Sequence, residues 1–145
     1  MYKHILIATD GSDLAGKAVS VGLALAKELK AKVTAVTATE PWSAMAVGEA
    51  GAINFPFDEY EKAAAEGAER ILSKVREDAA KLGVDCQTVH VTDFPADGIV
   101  ATAKNKECDL IVMASHGRRG LSRVLLGSQA IQVLTHSTIP VLICR

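Results

Sequence analysis

The chain has 145 residues, of which 49% are hydrophobic and 23% are charged, and this composition excludes an intrinsically disordered protein. Sixteen basic and seventeen acidic side chains leave a formal net charge of −1, which gives no general attraction to nucleic acid or to anionic membranes. No stretch approaches the roughly 18 uninterrupted apolar residues of a membrane-spanning helix, and we expect a cytoplasmic protein. The length is typical of a single domain, which we expect over residues 1–145.

Strand and helix patterns alternate from the start of the chain. His4 to Ala8 is predicted as a buried strand, because the turn-and-cap residues Thr9 to Asp13 follow it at once. From Leu14 the apolar residues recur at steps of three and four, which indicates a helix that ends near Lys30. Lys32 to Thr39 is rich in β-branched residues and predicts a second strand.

The middle of the chain contains the longest helical pattern. A loop is predicted from Glu40 to Pro56, and the long helix after it is expected to be capped by Asp58 and stopped by Gly83. Val84 to Val91 is predicted as the third strand. Pro95 to Lys106 is predicted as the next helix, with proline at its first position.

Two further strands complete the pattern, at Leu110 to Ala114 and at Pro140 to Cys144, with a helix to about His136 between them. Five strands that alternate with helices predict an α/β fold, a three-layer doubly wound sandwich around a five-stranded, mainly parallel sheet. In such sheets ligands bind beyond the carboxyl ends of the strands, where the winding reverses. The candidate segments are therefore Ala8 to Ser12 and the residues from Ala114 onward.

The segment after the fourth strand is marked by glycines. Glycine allows close approach of the backbone and positive φ, so we expect the amides around Gly117 and Gly127 to converge on phosphate oxygens. Gly127 and Ser128 open a helix whose first amides form an anion site, with the Ser128 hydroxyl as an added donor. The alternative is an ordinary surface turn and helix start, since neither the P-loop nor the dinucleotide fingerprint is present. Three arginines lie between the glycines: Arg118, Arg119 and Arg123.

The run from Asp109 to Arg145 contains Asp-Leu-Ile-Val-Met-Ala-Ser-His-Gly-Arg-Arg-Gly-Leu, Leu-Leu-Gly-Ser and Pro-Val-Leu-Ile. With the N-terminal Ile-Leu-Ile-Ala-Thr-Asp-Gly-Ser, it resembles the universal stress protein family over essentially the whole chain. The nucleotide-binding members carry Gly, two residues, Gly, nine residues, and Gly followed by Ser or Thr, which this sequence matches at Gly117, Gly127 and Ser128. The resemblance implies an adenine nucleotide alpha hydrolase-like fold with strand order 3-2-1-4-5.

The resemblance also implies the ligand, which is an adenine nucleotide (ATP, or else ADP or AMP) with Mg²⁺, bound for regulation or structure in a stress response. Ribose and phosphate contacts are implied for the loop Ala114, Ser115, His116, Gly117, Arg118, Arg119 and Gly120. The phosphate chain would lie on Gly127, Ser128, Gln129 and Ala130. The adenosine end would lie against Ala8, Thr9 and Asp10, with backbone groups of Ala38 at the adenine edge.

Two positions depart from the family pattern. Ala114 stands where the first glycine is expected, and a requirement for positive φ there would strain the loop. Asp93 follows the third strand, where family members often have glycine, and a carboxylate beside phosphates would repel them. These departures leave open a dimeric interaction module that binds no nucleotide.

Asp10 and His116 each allow two interpretations. Asp10 is a candidate magnesium ligand, but it or its neighbours Ser12 and Asp13 could instead cap the following helix. His116 is expected to orient its loop rather than to act as a base, because no Ser, Cys or Asp is expected beside it as a catalytic partner. If Asp10 binds magnesium or His116 acts as a base, a slow ATP-hydrolysing enzyme is a further alternative. No structural metal site is proposed.

The closing strand is apolar, and at the edge of a sheet it would be an aggregation hazard unless it were covered. Pairing of Val141 to Cys144 with a second copy is therefore predicted. The family resemblance implies the same homodimer, while any other protein partner stays unidentified.

Overall fold

The computed structural model describes residues 1–43, 56–117 and 126–145. Within these ranges the chain forms five strands, β1 (His4–Ala8), β2 (Lys32–Thr39), β3 (Cys86–Thr92), β4 (Leu110–Ala114) and β5 (Val141–Cys144). In the same part of the chain they alternate with the helices α1 (Asp13–Leu29), α2 (Phe57–Leu82), α3 (Pro95–Asn105) and α4 (Ser128–His136). The order of elements agrees with the predicted order; β1, β2 and β4 have the predicted bounds, and the other boundaries differ by at most two residues. Among the helices of these described ranges, none combines the length and hydropathy needed to cross a bilayer.

The strands form one sheet in the order β3-β2-β1-β4-β5, and all four ladders are parallel. This confirms the predicted doubly wound sandwich, with a sheet that is wholly rather than mainly parallel. The chain proceeds outward from β1 to β3, then crosses to β4 and continues to β5. The winding therefore reverses between β1 and β4, where a ligand crevice is expected in this fold.

Both faces of the sheet are buried, and successive residues of one strand supply different cores. Ile5 and Ile7 of β1 pack with residues of α1 and α2, whereas Leu6 and Ala8 pack with residues of α3 and α4. Side chains alternate between the faces of a strand, and a strand covered on both faces reads as a continuous apolar run. This is why the strand signals in the sequence show no polar alternation.

The helix ends show which local signals act. Ser12 caps α1, since its side chain accepts a hydrogen bond from the Ala15 amide at 3.3 Å. The predicted Asp58 cap of α2 is wrong: Pro56 occupies the N-cap position without a side-chain hydrogen bond, and Asp58 lies in the first turn. The negative charge of Asp58 interacts favourably there with the positive end of the helix dipole, but its side chain does not form the cap. Gly83 ends α2 with φ of 71°, as predicted.

Candidate functional site

A cavity of about 800 Å³ opens at the carboxyl ends of β1, β2 and β4. Its volume lies within the range of roughly 300–1,000 Å³ that is usual for ligand pockets. Every predicted site residue that the structure describes lines it: Ala8, Thr9, Asp10, Ala38, Ala114, Ser115, His116, Gly117, Gly127, Ser128, Gln129 and Ala130. Arg118, Arg119 and Gly120 lie outside the described residues, as does Arg123. The two segments selected from the sequence thus meet in one cavity.

The turn after β1 is held by its own hydrogen bonds. The Thr9 amide donates to the Val36 carbonyl at 3.0 Å, and the Thr9 hydroxyl accepts from the Gly11 amide at 3.2 Å. Asp10 Oδ1 accepts from the Ser12 amide at 2.9 Å. Of the residues considered as the cap of α1, Ser12 performs that role, while Asp10 shapes the turn and lines the cavity.

The loop after β4 is closed by backbone hydrogen bonds. The Ser115 amide donates to Cys144, and the Gly127 amide donates to the Ser115 carbonyl, both at 2.7 Å. The expectation that amides around Gly117 and Gly127 converge on one ligand is therefore wrong for Gly127, whose N–H is already used inside the protein. The donors at this end of α4 are instead the first amides of the helix, at Ser128, Gln129 and Ala130. They have no intrahelical acceptor, because the helix begins there.

The two glycines matter for close contact and not for positive φ. Gly127 has φ of −71°, and Gly117 is not among the described residues with positive φ, so that part of the prediction is wrong. A Cβ on Gly117 would lie 2.8 Å from Asp10 Oδ2. A Cβ on Gly127 would lie 3.0 Å from the Ser115 carbonyl oxygen and 3.4 Å from His116 Cα. Each glycine therefore lets two walls of the cavity approach closely.

The two departures from the family pattern do not disturb the cavity. Ala114 is the last residue of β4, pairs with Cys144, and is not among the described residues with positive φ, so the expected strain is absent. Asp93 accepts the Phe94 amide at Oδ1 at 2.8 Å, and it is not among the described residues that line the cavity. Asp93 is therefore not placed to repel phosphates by direct contact in the cavity.

His116 has a serine partner. Ser115 Oγ and His116 Nδ1 are 3.0 Å apart, and Ser115 is only 2% exposed, so this serine is a buried hydrogen-bond partner of the imidazole. His116 Nε2 is buried and has no hydrogen-bond partner among the residues described. The imidazole lies against Gly127, where a Cβ would be 3.4 Å from His116 Cδ2. This contact fixes the ring within the loop and supports the loop-orienting interpretation.

One wall of the cavity was not identified from the sequence. It comes from a single face of α2, at Tyr60, Ala64, Gly67, Ala68 and Ile71. The Tyr60 hydroxyl donates to the Glu40 carbonyl at 2.6 Å, which ties the start of α2 to the end of β2. These positions recur at steps of three and four, which places them on one helical face, and the small residues among them are the signal for a space.

The starts of α3 and α4 are joined by one side-chain contact. Gln129 Oε1 accepts a hydrogen bond from the Ala96 amide at 3.0 Å. Phe94 occupies the N-cap position of α3 and offers no side-chain hydrogen bond of its own. Pro95 and Ile99 of α3 line the same cavity, so this contact connects two of its walls.

Carboxylates near the cavity bear on metal binding. Asp10 and Glu40 line it, and Mg²⁺ is commonly bound by one or two carboxylates together with substrate phosphates. Within residues 1–43, 56–117 and 126–145, no three His, Cys, Asp or Glu side chains are grouped as a metal site. Asp10 and Glu40 thus offer carboxylate oxygens of the kind that Mg²⁺ binds, without a third such ligand among the described residues.

Comparison with known proteins identifies the family. The model of the universal stress protein family matches residues 1–145. Universal stress protein YxiE of Bacillus subtilis is 34% identical over 148 residues, which cover the whole of both chains. Universal stress protein MJ0531 of Methanocaldococcus jannaschii is 34% identical over 145 residues, covering all of this chain and 83% of that protein.

Solved structures agree with this assignment. Universal stress protein UspA from Lactobacillus plantarum superimposes with a TM-score of 0.86 at 25% identity, covering 99% of this chain and 98% of that one. A universal stress protein in complex with cAMP superimposes with a TM-score of 0.70 at 27% identity, covering 99% and 97%. The motif, the sheet order and these similarities agree, and the chain belongs to the universal stress protein family.

Proposed function

We propose that this protein binds an adenine nucleotide, ATP foremost, as a regulatory or structural ligand in a cytoplasmic stress response. The observation that carries the proposal is the cavity at the point where the winding reverses, lined by both segments of the nucleotide-binding motif. The cavity combines an apolar interior with a helix start, which suits a base and a phosphate group at opposite ends. The similarity to a universal stress protein solved in complex with cAMP adds support.

The phosphate end is assigned to the start of α4. The amides of Ser128, Gln129 and Ala130 carry the positive end of the helix dipole, and the Ser128 side chain adds a hydroxyl donor. Asp10 lines the same cavity from the chain's other motif segment and would bind Mg²⁺ held by the phosphates. The contacts of Arg118, Arg119 and Gly120 with the phosphates remain part of the proposal.

The adenine end is assigned to the end of β2 and the facing helices. Ala38 lines the cavity near the end of β2, and its backbone groups would meet the adenine edge. Ile71 of α2, Ile99 of α3 and Met113 of β4 give apolar surface for the faces of the base. Burial of a flat ring against such side chains is favourable by about 25 cal/mol for each Å² removed from water.

The decisive experiment is mass analysis of small molecules released from the purified protein, with calorimetric titration of ATP, ADP, AMP and cAMP. We expect micromolar affinity for ATP, which corresponds to about −8 kcal/mol. The Gly127→Val variant is expected to abolish binding, because its side chain would press on the Ser115 carbonyl and His116. The milder Ser128→Ala variant removes one exposed hydroxyl and is expected to weaken binding about tenfold.

Three outcomes would decide against this proposal. Absence of retained nucleotide together with no thermal shift on adding ATP would favour an interaction module. Equal ATP affinity of wild type and a folded Gly127→Val protein would remove the assignment of the phosphate end. Magnesium-dependent phosphate release that is lost on changing Asp10 or His116 would instead favour a slow ATPase, although the serine beside His116, Ser115, is buried.

We also propose a homodimer formed through β5. This strand lies at the edge of the sheet, and Leu142 is 38% exposed. On α4, Ile131 is 50% exposed and Leu134 is 43% exposed. Light scattering should give twice the chain mass of 15.3 kDa, and Leu142→Lys should shift the protein to the monomer, since a charged edge strand resists pairing. A wild-type monomer at high concentration would contradict the proposal.

A further inference from the structure

Gln129 belongs to α4, yet its side chain completes the start of α3. Its Oε1 lies 3.0 Å from the Ala96 nitrogen, and only the oxygen of a carboxamide can accept from a backbone N–H. The contact therefore fixes the orientation of the amide. Ala96 is 2% exposed, so its N–H would be costly to leave without an acceptor.

This arrangement is unusual because helix starts are generally capped by the residue that precedes them. Phe94 stands at that position in α3 and has no side-chain acceptor. Acidic groups lie at the same helix start, since Asp93 accepts the Phe94 amide and Asp97 is in the first turn. Gln129 adds the missing acceptor without adding charge.

The absence of charge matters because of where residue 129 stands. It is the second residue of α4, next to Ser128, in the turn whose amides are assigned to the phosphates. A carboxylate at this position would accept the same hydrogen bond from Ala96, and its negative charge would interact favourably with the positive dipole ends of both helices. It would, however, place a negative charge beside an anionic ligand and repel it.

We propose that Gln129 is a positioning and selectivity residue: it joins the starts of α3 and α4 through an uncharged contact and so keeps the cavity receptive to phosphorylated ligands. This inference rests on the proposed nucleotide function and assigns to the neutral side chain of Gln129 the absence of a repulsive charge beside the phosphates. With a neutral residue at position 129, the cavity selects phosphorylated nucleotides over uncharged nucleosides.

The test is a series of ligands of increasing charge, adenosine, AMP, ADP and ATP, titrated calorimetrically against the full chain. In Gln129→Glu the acceptor is kept and one charge is added. We expect the affinity for ATP to fall on the order of tenfold relative to that for adenosine, with AMP and ADP between them. The matched control is Gln132→Glu, which adds the same charge to an exposed position of α4 outside the lining of the cavity and should change this ratio less than twofold.

A second variant separates selectivity from structure. Gln129→Met has a similar volume but no acceptor, so the melting temperature should fall by about 3 °C and the affinities for all four ligands should fall together, whereas Gln129→Glu should lower them in order of ligand charge. An unchanged ratio in a folded Gln129→Glu protein, or an equal change in Gln132→Glu, would overturn the inference. If the wild type binds none of the four ligands, the proposed function itself fails, which is a different result.

Discussion

Gly117 and Asp10 are in such close contact that a Cβ on residue 117 would lie 2.8 Å from Asp10 Oδ2. The two residues follow β4 and β1, the neighbouring strands between which the winding of the sheet reverses. Asp10 Oδ1 already accepts the Ser12 amide, so the carboxylate has little freedom to turn away. This contact limits how far apart the two segments that line the cavity can lie.

Gly117→Ala should therefore weaken ligand binding more than it lowers stability. The new methyl group would displace the Asp10 carboxylate, which is a short side chain at the cavity, while the buried core stays intact. We expect about a tenfold loss of ATP affinity in magnesium and less than about 1 kcal/mol loss of unfolding free energy. Calorimetry and urea unfolding measure the two effects.

The matched control is Gly16→Ala, because a Cβ at this exposed position of α1 would meet nothing within 4 Å. It should stabilise the protein by about 0.5–1 kcal/mol through helix propensity and leave ATP affinity unchanged. A Gly117→Ala protein with wild-type affinity would show that the position of Asp10 is unimportant for the ligand.

The ends of α1 and α2 allow a second prediction, because both helices end in a left-handed residue. Lys30 has φ of 55° and Gly83 has φ of 71°. A residue with a Cβ pays roughly 1–2 kcal/mol for this conformation, partly offset by its smaller loss of chain entropy on folding. Lys30→Gly should therefore stabilise the protein by about 0.5–1 kcal/mol, and Gly83→Ala should destabilise it by about 1 kcal/mol. Denaturant unfolding should show changes in unfolding free energy of opposite sign for the two variants. A loss of stability in both would contradict this prediction.

His4 makes stability depend on pH. It is 7% exposed, and its Nε2 lies 2.8 Å from the hydroxyl of the fully buried Thr34. Burial is the main cause that lowers the pKa of His4, followed by the positive charge of Lys32, while Asp109 and Asp85 oppose the shift. The neutral imidazole is therefore favoured in the folded protein.

The lowered pKa of His4 determines whether stability rises or falls with pH. Below the usual histidine pKa of about 6.5, the unfolded chain binds a proton that the folded protein resists, so stability falls as pH decreases through this range and is fully present above it. The unfolding free energy of wild type should fall more steeply than that of His4→Gln below pH ~6.5, by at most about 1.4 kcal/mol per pH unit. Parallel pH profiles for the two proteins would assign the acid sensitivity to other groups.

Cys108 provides a fourth prediction, on access to the core. It is 5% exposed, and burial raises the pKa of its thiol to about 11. At pH 8 the thiolate fraction of the folded protein is then on the order of one in a thousand, so alkylation by iodoacetamide should require unfolding. Peptide mass analysis should show Cys108 as the slowest of the three cysteines, with a rate that rises with denaturant. Rapid modification without denaturant would show that this region opens locally.

Much of the fold was predictable because its signals are local. A parallel strand covered on both faces must be apolar throughout, as His4 to Ala8 is, and a helix on such a sheet needs a stripe such as that of α1. The start of α2 was not predictable in the same way. Asp58 has the chemistry of a cap, but the helix begins at Phe57, two residues before the start that such a cap implies, and Asp58 lies in its first turn.

The sequence by itself determined the order of the elements, the family motif and the two segments that meet at the carboxyl edge of the sheet. Only the tertiary structure decided that the Gly127 amide donates to Ser115, that α2 supplies a wall of the cavity, and that Gln129 completes the start of α3. The physical reason is distance along the chain. Propensity and periodicity act between residues a few positions apart, whereas a hydrogen bond between residues 96 and 129 exists only after the helices have packed.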